Sequence, residues 1–379
     1  MGEMKKVCIV TASRSEYGLL RWIIDAINND IDLELQLIVT GAHLSEEQGF
    51  TYKDIEADGY SILAKVDMNL KTDSQLNIAQ SMGRCAIGIS NVLAQIVPDL
   101  MVVLGDRYEL LPVCNTALLL NIPIAHISGG DITIGAIDND IRNAITMMAS
   151  LHFPGVDDSA NNIIRMQGNE NNVFVVGEPG LENFKRLQLW NREQLSENLN
   201  IKKENRWILI SLHPETQETL EYNMEMAANV IAVLDKVNDI SVVITKANAD
   251  YGGVQLNEYF ESVVKRNPLK YSIYSSLGQT RYLSFMQECF AIIGNSSSGI
   301  VEAPSVGTHV INIGNRQKGR HLCDNVTQTD SSLLSIQNAW KLVEQKGTKM
   351  VKDYFYGDGN TSFKVVDHIK QYLNKKIQE

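Results

Sequence analysis

At 379 residues the chain is longer than one hydrophobic core usually supports, so two domains are expected. A composition of 44% apolar and 21% charged residues is that of a globular protein and excludes a disordered or fibrous chain. The formal charge of −11 argues against a general nucleic-acid or anionic-membrane surface, so any anion site must be local.

The polar start, Met1 to Lys6, leads straight into a strand pattern, and no apolar run approaches membrane-spanning length. The expectation is a cytoplasmic enzyme with no signal peptide. The five cysteines are scattered and never form a C-x-x-C pair, which reads as reduced core thiols. The seven histidines show no H-x-H or H-E-x-x-H spacing, so no metal site is expected.

Val7 to Thr11 is a β-rich run. After the loop Ala12 to Glu16, residues Leu20, Ile23, Ile24 and Ile27 recur at helical spacing. Leu33 to Thr40 and Ser61 to Val66 read as further strands, and Thr72 or Asp73 can cap a long helix ended by Pro98. Leu100 to Leu104 is a continuous apolar strand followed by Gly105-Asp106-Arg107, a helix over about 109–120 and the strand Ile124 to Ile127. A polar loop from Ser128 to Asp140 precedes a helix over about 141–150, then strands at Leu151 to Pro154 and Val173 to Gly177. Such βα alternation builds a doubly wound parallel sheet, whose ligands bind beyond the carboxyl ends of the strands.

Over 179–206 the strand pattern gives way to a charged, Asn-rich helical stretch, read as a connection between a domain over 1–178 and a second over 207–360. The series then restarts. Trp207 to Leu212 ends in His213-Pro214, and Ser241 to Thr245 ends in Lys246-Ala247-Asn248. Tyr271 to Tyr274 is a third strand, and a helix lies near 281–288. A final helix within 361–379, with Val366, Ile369 and Leu373 on one face, is expected to pack back on the first domain.

The most telling stretch is 290–320. Phe290 to Ile293 reads as a buried strand, followed at once by the small-residue loop Gly294-Asn295-Ser296-Ser297-Ser298-Gly299. The serines are good N-cap residues for a short helix that Pro304 disrupts. A helix start presents unpartnered N–H groups and a positive dipole end to an anion, most readily a phosphate. An ordinary capped βα turn explains the serines equally well. Glu302, one turn on, can accept from a sugar hydroxyl, and Arg316, Lys318 and Arg320 follow the next strand.

In the first domain, carboxylates gather on loops after strands: Asp106 on one, Asp131, Asp138 and Asp140 on another. Paired carboxylates can hold different pKa values and divide acid and base roles. Asp140 reads better as the cap of the helix beginning at Ile141, and Arg107 can serve as the salt-bridge partner of Asp106. Arg14 lies on the first βα loop, where an arginine can clasp a phosphate, and His213 follows a strand of the second domain, suited to phosphate contact or proton transfer.

In combination, Gly105-Asp106-Arg107, His126-Ile127-Ser128-Gly129-Gly130, Ile137-Asp138, His213-Pro214, the loop 294–299 and Gly314-Asn315-Arg316-Gln317 resemble the hydrolysing UDP-N-acetylglucosamine 2-epimerases of sialic-acid biosynthesis. The resemblance covers essentially the whole chain. It implies an α/β fold of two Rossmann-like doubly wound domains facing a central cleft, the glycosyltransferase-B arrangement, in a homodimer or homotetramer. It also implies chemistry without a metal or nicotinamide, on a UDP-sugar substrate with UDP as product.

Residue by residue, the resemblance places the diphosphate on Ser296, Ser297, Gly299 and neighbouring backbone, with Arg14 and His213 nearby. It puts the ribose on Glu302 and uracil near the Leu277 backbone. Asp106 and Asp138 match acidic residues needed for catalysis, while Arg107, Asn248 and Arg316 match substrate-contacting positions. The implied reaction removes the C2 proton as UDP leaves C1, giving a 2-acetamidoglucal. Water then adds with inversion at C2, releasing N-acetylmannosamine.

One departure stands out: Ser128 occupies a position where the family commonly has Glu. Either Asp131 takes over part of that work, or the sugar accepted here differs, as in UDP-N,N′-diacetylbacillosamine. A non-hydrolysing epimerase, a glycosyltransferase and a UDP-sugar sensor without catalysis are the other readings. Retention of both Asp106 and Asp138 disfavours the sensor.

Overall fold

In the computed structural model, residues 4–46, 49–70, 75–132, 137–215, 218–247 and 252–375 are described. The chain divides into two compact units, Met1–Asn183 with Gly357–Glu379, and Phe184–Tyr356. Among the described residues each unit holds one six-stranded sheet, parallel throughout.

The first sheet comprises β1 (Lys5–Thr11), β2 (Leu33–Thr40), β3 (Ile62–Val66), β4 (Leu100–Leu104), β5 (Ile124–Ile127) and β6 (Leu151–Phe153), in the order β3-β2-β1-β4-β5-β6. The second comprises β7 (Arg206–Ser211), β8 (Ile240–Thr245), β9 (Tyr271–Tyr274), β10 (Ala291–Gly294), β11 (His309–Ile313) and β12 (Val326–Thr329), in the order β12-β11-β10-β7-β8-β9. The two orders are the same when each sheet is counted from its own first strand. Both reverse direction once, between β1 and β4 and between β7 and β10, and such a reversal opens a crevice at the strands' carboxyl ends.

The strands read as unbroken apolar runs because both faces are covered. Val7 and Ile9 of β1 join one core with Leu20, Ile23, Ile24 and Ile27 of the helix Arg14–Asn28, while Cys8 and Val10 point into the other with Met101 and Val103. In the second unit Ile208, Ile210 and Ile293 face one core, and Trp207, Leu209 and Ile292 the other. All five cysteines are buried and unbridged, and burial pushes the Cys8 thiol up to about 12.

The structure corrects several expectations. The boundaries fall at 183/184 and 356/357 rather than at 178/179, 206/207 and 360/361. Residues 179–206 are packed structure: a 3-10 turn at Pro179–Glu182 and helices Asn183–Arg186 and Arg192–Leu199, the last started by an Asn191–Gln194 capping box. Leu195 and Leu199 sink into the second unit's core, so the polar composition belongs to an amphipathic face.

The buried Glu182 accepts from the Ser362 N–H (2.8 Å) and hydroxyl (2.6 Å), tying helix Thr361–Lys375 to the first unit. Residues beyond Lys375 lie outside the described set. Val173 to Gly177 forms one bridge to His152 rather than a strand, although its chain still runs beside β6 through Phe174 N–H to His152 O (2.9 Å). Ser13 caps a helix that already begins at Arg14, inside the expected loop. The helix carrying Asp138 starts at Ile137, so Asp140 lies within its first turn and is not the cap before Ile141. Pro304 sits in the first turn of a second short helix, Ala303–Val306, instead of ending the first, Ser297–Val301. The proposed caps Thr72 and Asp73 lie outside the described residues.

Gly294 closes β10 with φ 150°, and a Cβ there would stand 2.0 Å from the Ser211 carbonyl oxygen. Gly294→Ala is therefore expected to destabilise the second unit by at least about 1–3 kcal/mol, read by urea denaturation. A midpoint unchanged from the parent would contradict this.

Candidate active site

Two clusters of polar side chains form at the strands' carboxyl ends, one in each unit. In the first, Gly105 turns with φ 82° immediately after β4, and Asp106 forms an ion pair with Arg142. Arg142 is 4% exposed and also donates to the Asp131 backbone carbonyl (2.7 Å), while the Asp131 carboxylate accepts from Ser159 Oγ (2.6 Å). One buried guanidinium thus ties the loop after β4 to the loop after β5. Asp138 lies exposed in the first turn of the helix Ile137–Met148, four residues before Arg142 and hence on the same helical face.

His126, on β5, fixes the base of this arrangement. Its Nε2 lies 2.8 Å from the Gly105 carbonyl, which can only accept, so the proton is on Nε2 and Nδ1 accepts from Thr146 Oγ1 (3.2 Å). Burial lowers its pKa to about 3, which keeps the ring neutral.

Arg107 does not pair with Asp106. Its fork engages Glu109, Nη2 to Oε1 at 2.6 Å and Nε to Oε2 at 3.2 Å, and Glu109 is fully buried. Beside this pair lies Glu16, 3% exposed, whose Oε2 accepts from the Ala12 N–H at 2.8 Å. Burial raises the Glu16 pKa to about 8, opposed by the Ala12 bond and by Arg107, so this carboxyl is protonated at neutral pH. Arg14 is exposed at the helix start and makes a loose 3.7 Å pair with Asp54.

The second cluster is organised by Asn295, wholly buried after β10. Its Oδ1 accepts from the His213 N–H and its Nδ2 donates to the His213 carbonyl, both at 2.8 Å. Its own carbonyl accepts from Arg316 Nη1 (3.1 Å) and Gln317 Nε2 (2.9 Å). The ends of β7 and β10 and the loop after β11 are thereby locked together. The buried Glu215 adds a further tie, accepting from the Asn315 N–H at 2.8 Å.

Ser296 holds the N-cap position of Ser297–Val301, but its hydroxyl does not cap. It contacts Ser298 Oγ (3.1 Å), which in turn meets the Tyr282 hydroxyl at 2.5 Å. Ser297 is exposed, and Gly299 is buried with its Cβ position 3.1 Å from Val310. Burial raises the Glu302 pKa to about 7, opposed by the nearby Arg320 charge. Leu277 is buried, and its carbonyl accepts from Arg281 Nε (2.7 Å). Asn248 lies outside the described residues.

The structure therefore brings Asp106 and Asp131 together through Arg142, and Ser296, His213 and Arg316 together through Asn295. Sequence reasoning missed Arg142, Glu109, Glu16 and Asn295 as site-building groups. A signal existed for two of them: Arg142 stands at i+4 from Asp138, and Ser13-Arg14-Ser15-Glu16 has capping-box spacing. Among the described residues, no three His, Cys, Asp or Glu side chains cluster as metal ligands, and no helix is long and apolar enough to cross a membrane.

Two parallel-sheet α/β units of identical strand order, each with a polar cluster at its switch point, define a doubly wound two-domain α/β protein. The chain belongs to the UDP-N-acetylglucosamine 2-epimerase family, which it matches over residues 25–370. It is 38% identical over 345 residues to the GDP/UDP-N,N′-diacetylbacillosamine 2-epimerase (hydrolyzing) of Campylobacter jejuni, covering 91% of this chain and 89% of that protein. To the UDP-N,N′-diacetylbacillosamine 2-epimerase (hydrolyzing) of Legionella pneumophila it is 29% identical over 378 residues, covering 98% and 99%. The crystal structure of UDP-GlcNAc 2-epimerase from Neisseria meningitidis bound to UDP-GlcNAc shares the fold, with TM-score 0.79, 17% identity, and coverage of 97% of this chain and 100% of that one.

The Glu16 carboxyl makes a testable point. Its folded pKa of about 8 lies above the ordinary 4.5, so between those values the unfolded chain ionises while the folded one does not. Stability from this group is fully present below pH 4.5 and is lost as pH rises towards 8. Glu16→Gln should be close to the parent at pH 5 and gain relative thermal stability as pH rises to 8. A difference between the two that does not vary with pH would show Glu16 to be ionised in the folded state.

Proposed function

We propose that the chain is a hydrolysing UDP-sugar 2-epimerase whose substrate is UDP-N,N′-diacetylbacillosamine, released as UDP and 2,4-diacetamido-2,4,6-trideoxymannose. The similarity to the Campylobacter jejuni protein, extending over 91% of this chain, carries this reading. The sequence put UDP-N-acetylglucosamine first and the diacetamido sugar second. Both curated relatives above are named for the diacetamido sugar, and Ser128 departs from the glutamate expected for the sialic-acid type, so the order is reversed.

In this reading Asp106 acts as the acid–base carboxylate at C2, and Arg142 holds it in place against the substrate's own charge. Asp138 supplies a second carboxylate for the hydration step. Asp131, engaged by Ser159 and lending its carbonyl to Arg142, orders the loop and does not carry the proton. Ser296, Ser297, Gly299 and His213 take the departing diphosphate with Arg316 and Arg14, Glu302 takes the ribose, and the Leu277 backbone lies by the base. Arg107, engaged by the buried Glu109, acts by shaping the β4 loop. Charge develops on the leaving UDP, so fixed donors there lower the barrier; removing one such donor typically costs about 10²-fold in rate.

The test is incubation with UDP-N,N′-diacetylbacillosamine or UDP-N-acetylglucosamine in D₂O, without acceptor, followed by NMR. Free manno-configured diacetamido sugar deuterated at C2 is the expected product. Preferential turnover of UDP-N-acetylglucosamine would restore the other substrate, and a nucleotide-bound epimer would point to the non-hydrolysing reaction. Asp106→Asn is expected to bind UDP as the parent does while losing about 10²- to 10⁴-fold in kcat. Parental turnover in that variant would remove Asp106 from the chemistry.

A further inference from the structure

Ser128 is the residue immediately after β5, and its φ of 56° is a left-handed conformation that a side chain disfavours. Strain of this kind persists where surrounding contacts over-determine it, and it concentrates at ligand sites. Two contacts hold Ser128. Its N–H donates to the Phe153 carbonyl (2.9 Å), extending the β5–β6 pairing past the end of β5, and its hydroxyl donates to Glu178 Oε2 (3.3 Å).

Glu178 reaches this place by a dedicated path. The chain at 174–176 runs beside β6, with the Val176 N–H on the Pro154 carbonyl (3.1 Å), and turns at Gly177 with φ 86°. The carboxylate then lies over Gly155, where a Cβ would stand 1.9 Å from Glu178 Oε1. A glycine two residues past β6 is thus the condition for a carboxylate at the ends of β5 and β6. Glu178 remains partly accessible. The neighbouring strand on the other side of β5 is β4, which carries Asp106 at its end, and adjacent strands stand about 4.8 Å apart.

We propose that Glu178 is a sugar-contacting residue: its carboxylate, oriented by Ser128, accepts a hydrogen bond from an amide N–H or hydroxyl of the substrate's hexose. The inference rests on the reading of the chain as an enzyme acting on a UDP-hexose. A ring bearing two acetamido groups offers two N–H donors, and an ionised acceptor forms the stronger class of hydrogen bond with them. A purely structural carboxylate is the competing account, since a water molecule can satisfy the Ser128 hydroxyl equally well.

The experiment measures kcat and KM of the parent, Glu178→Gln and Ser128→Ala with UDP-N,N′-diacetylbacillosamine and UDP-N-acetylglucosamine, together with the UDP inhibition constant and the melting temperature. Glutamine preserves the shape and an acceptor oxygen but removes the charge. Glu178→Gln is expected to lose about ten- to a hundredfold in kcat/KM, with UDP inhibition and melting temperature unchanged. Ser128→Ala should lose less, in the same direction. A Glu178→Gln enzyme within twofold of the parent overturns the inference while leaving the functional reading intact, and so does a loss that tracks a fall in melting temperature or in UDP affinity. A folded parent that turns over neither UDP-sugar overturns both.

Discussion

Both units depend on one topological constraint: a parallel sheet whose strand order reverses once. On either side of the reversal the crossovers run to opposite faces, so the loops after the two central strands diverge and leave their carboxyl ends uncovered. In the first unit those strands are β1 and β4, followed by Ser13 to Glu16 and Gly105 to Glu109; in the second they are β7 and β10, followed by His213 and Gly294 to Gly299. Apart from Leu277, which follows β9, and Glu178, which follows the segment beside β6, the groups to which a role is assigned above lie on one of these loops, on the loop of an adjacent strand, or on the helix that follows. The proposed chemistry falls where the backbone provides open strand ends.

Such loops are held by buried polar groups, and the two units solve this differently. The second unit relies chiefly on a neutral side chain, with Glu215 as a further tie. Asn295 offers a donor, an acceptor and its own carbonyl, and with four bonds to His213, Arg316 and Gln317 it is well satisfied without any charge to desolvate. The first unit uses ions: Arg142 under Asp106, and Arg107 on Glu109. An ion pair with one buried partner is a costly way to hold structure, and removing the exposed partner leaves the buried charge uncompensated. They lie beneath the loop after β4 and fix the orientation of the Asp106 carboxylate.

The sheets were legible because strands covered on both faces become continuous apolar runs, and Val7 to Thr11 and Leu100 to Leu104 need no alternation to be recognised. Strand ends were legible too, through Gly105-Asp106-Arg107 and the run from Gly294 to Gly299. What the chain did not disclose is which group each exposed residue would meet. Arg107 adjoins Asp106 in sequence and pairs with Glu109, while Asp106 finds its partner 36 residues on, in a helix read as starting four residues late. The stretch 179–206 was misread for the related reason that its polar residues are local and the core receiving Leu195 and Leu199 is not. Partners fixed by tertiary packing leave no trace in spacing.

The region around Arg107 shows the same physics governing protonation. Two buried carboxyls, Glu16 and Glu109, face a single guanidinium whose fork is already bidentate on Glu109. Ionising both would bury a net negative charge at the end of β1, and the cheaper state keeps Glu16 neutral with only its Ala12 bond. The first βα loop is therefore uncharged at its buried side and cationic at its exposed side, where Arg14 projects. An ionised Glu16 behind Arg14 would offset the positive charge that this loop presents, and a neutral one leaves it in place.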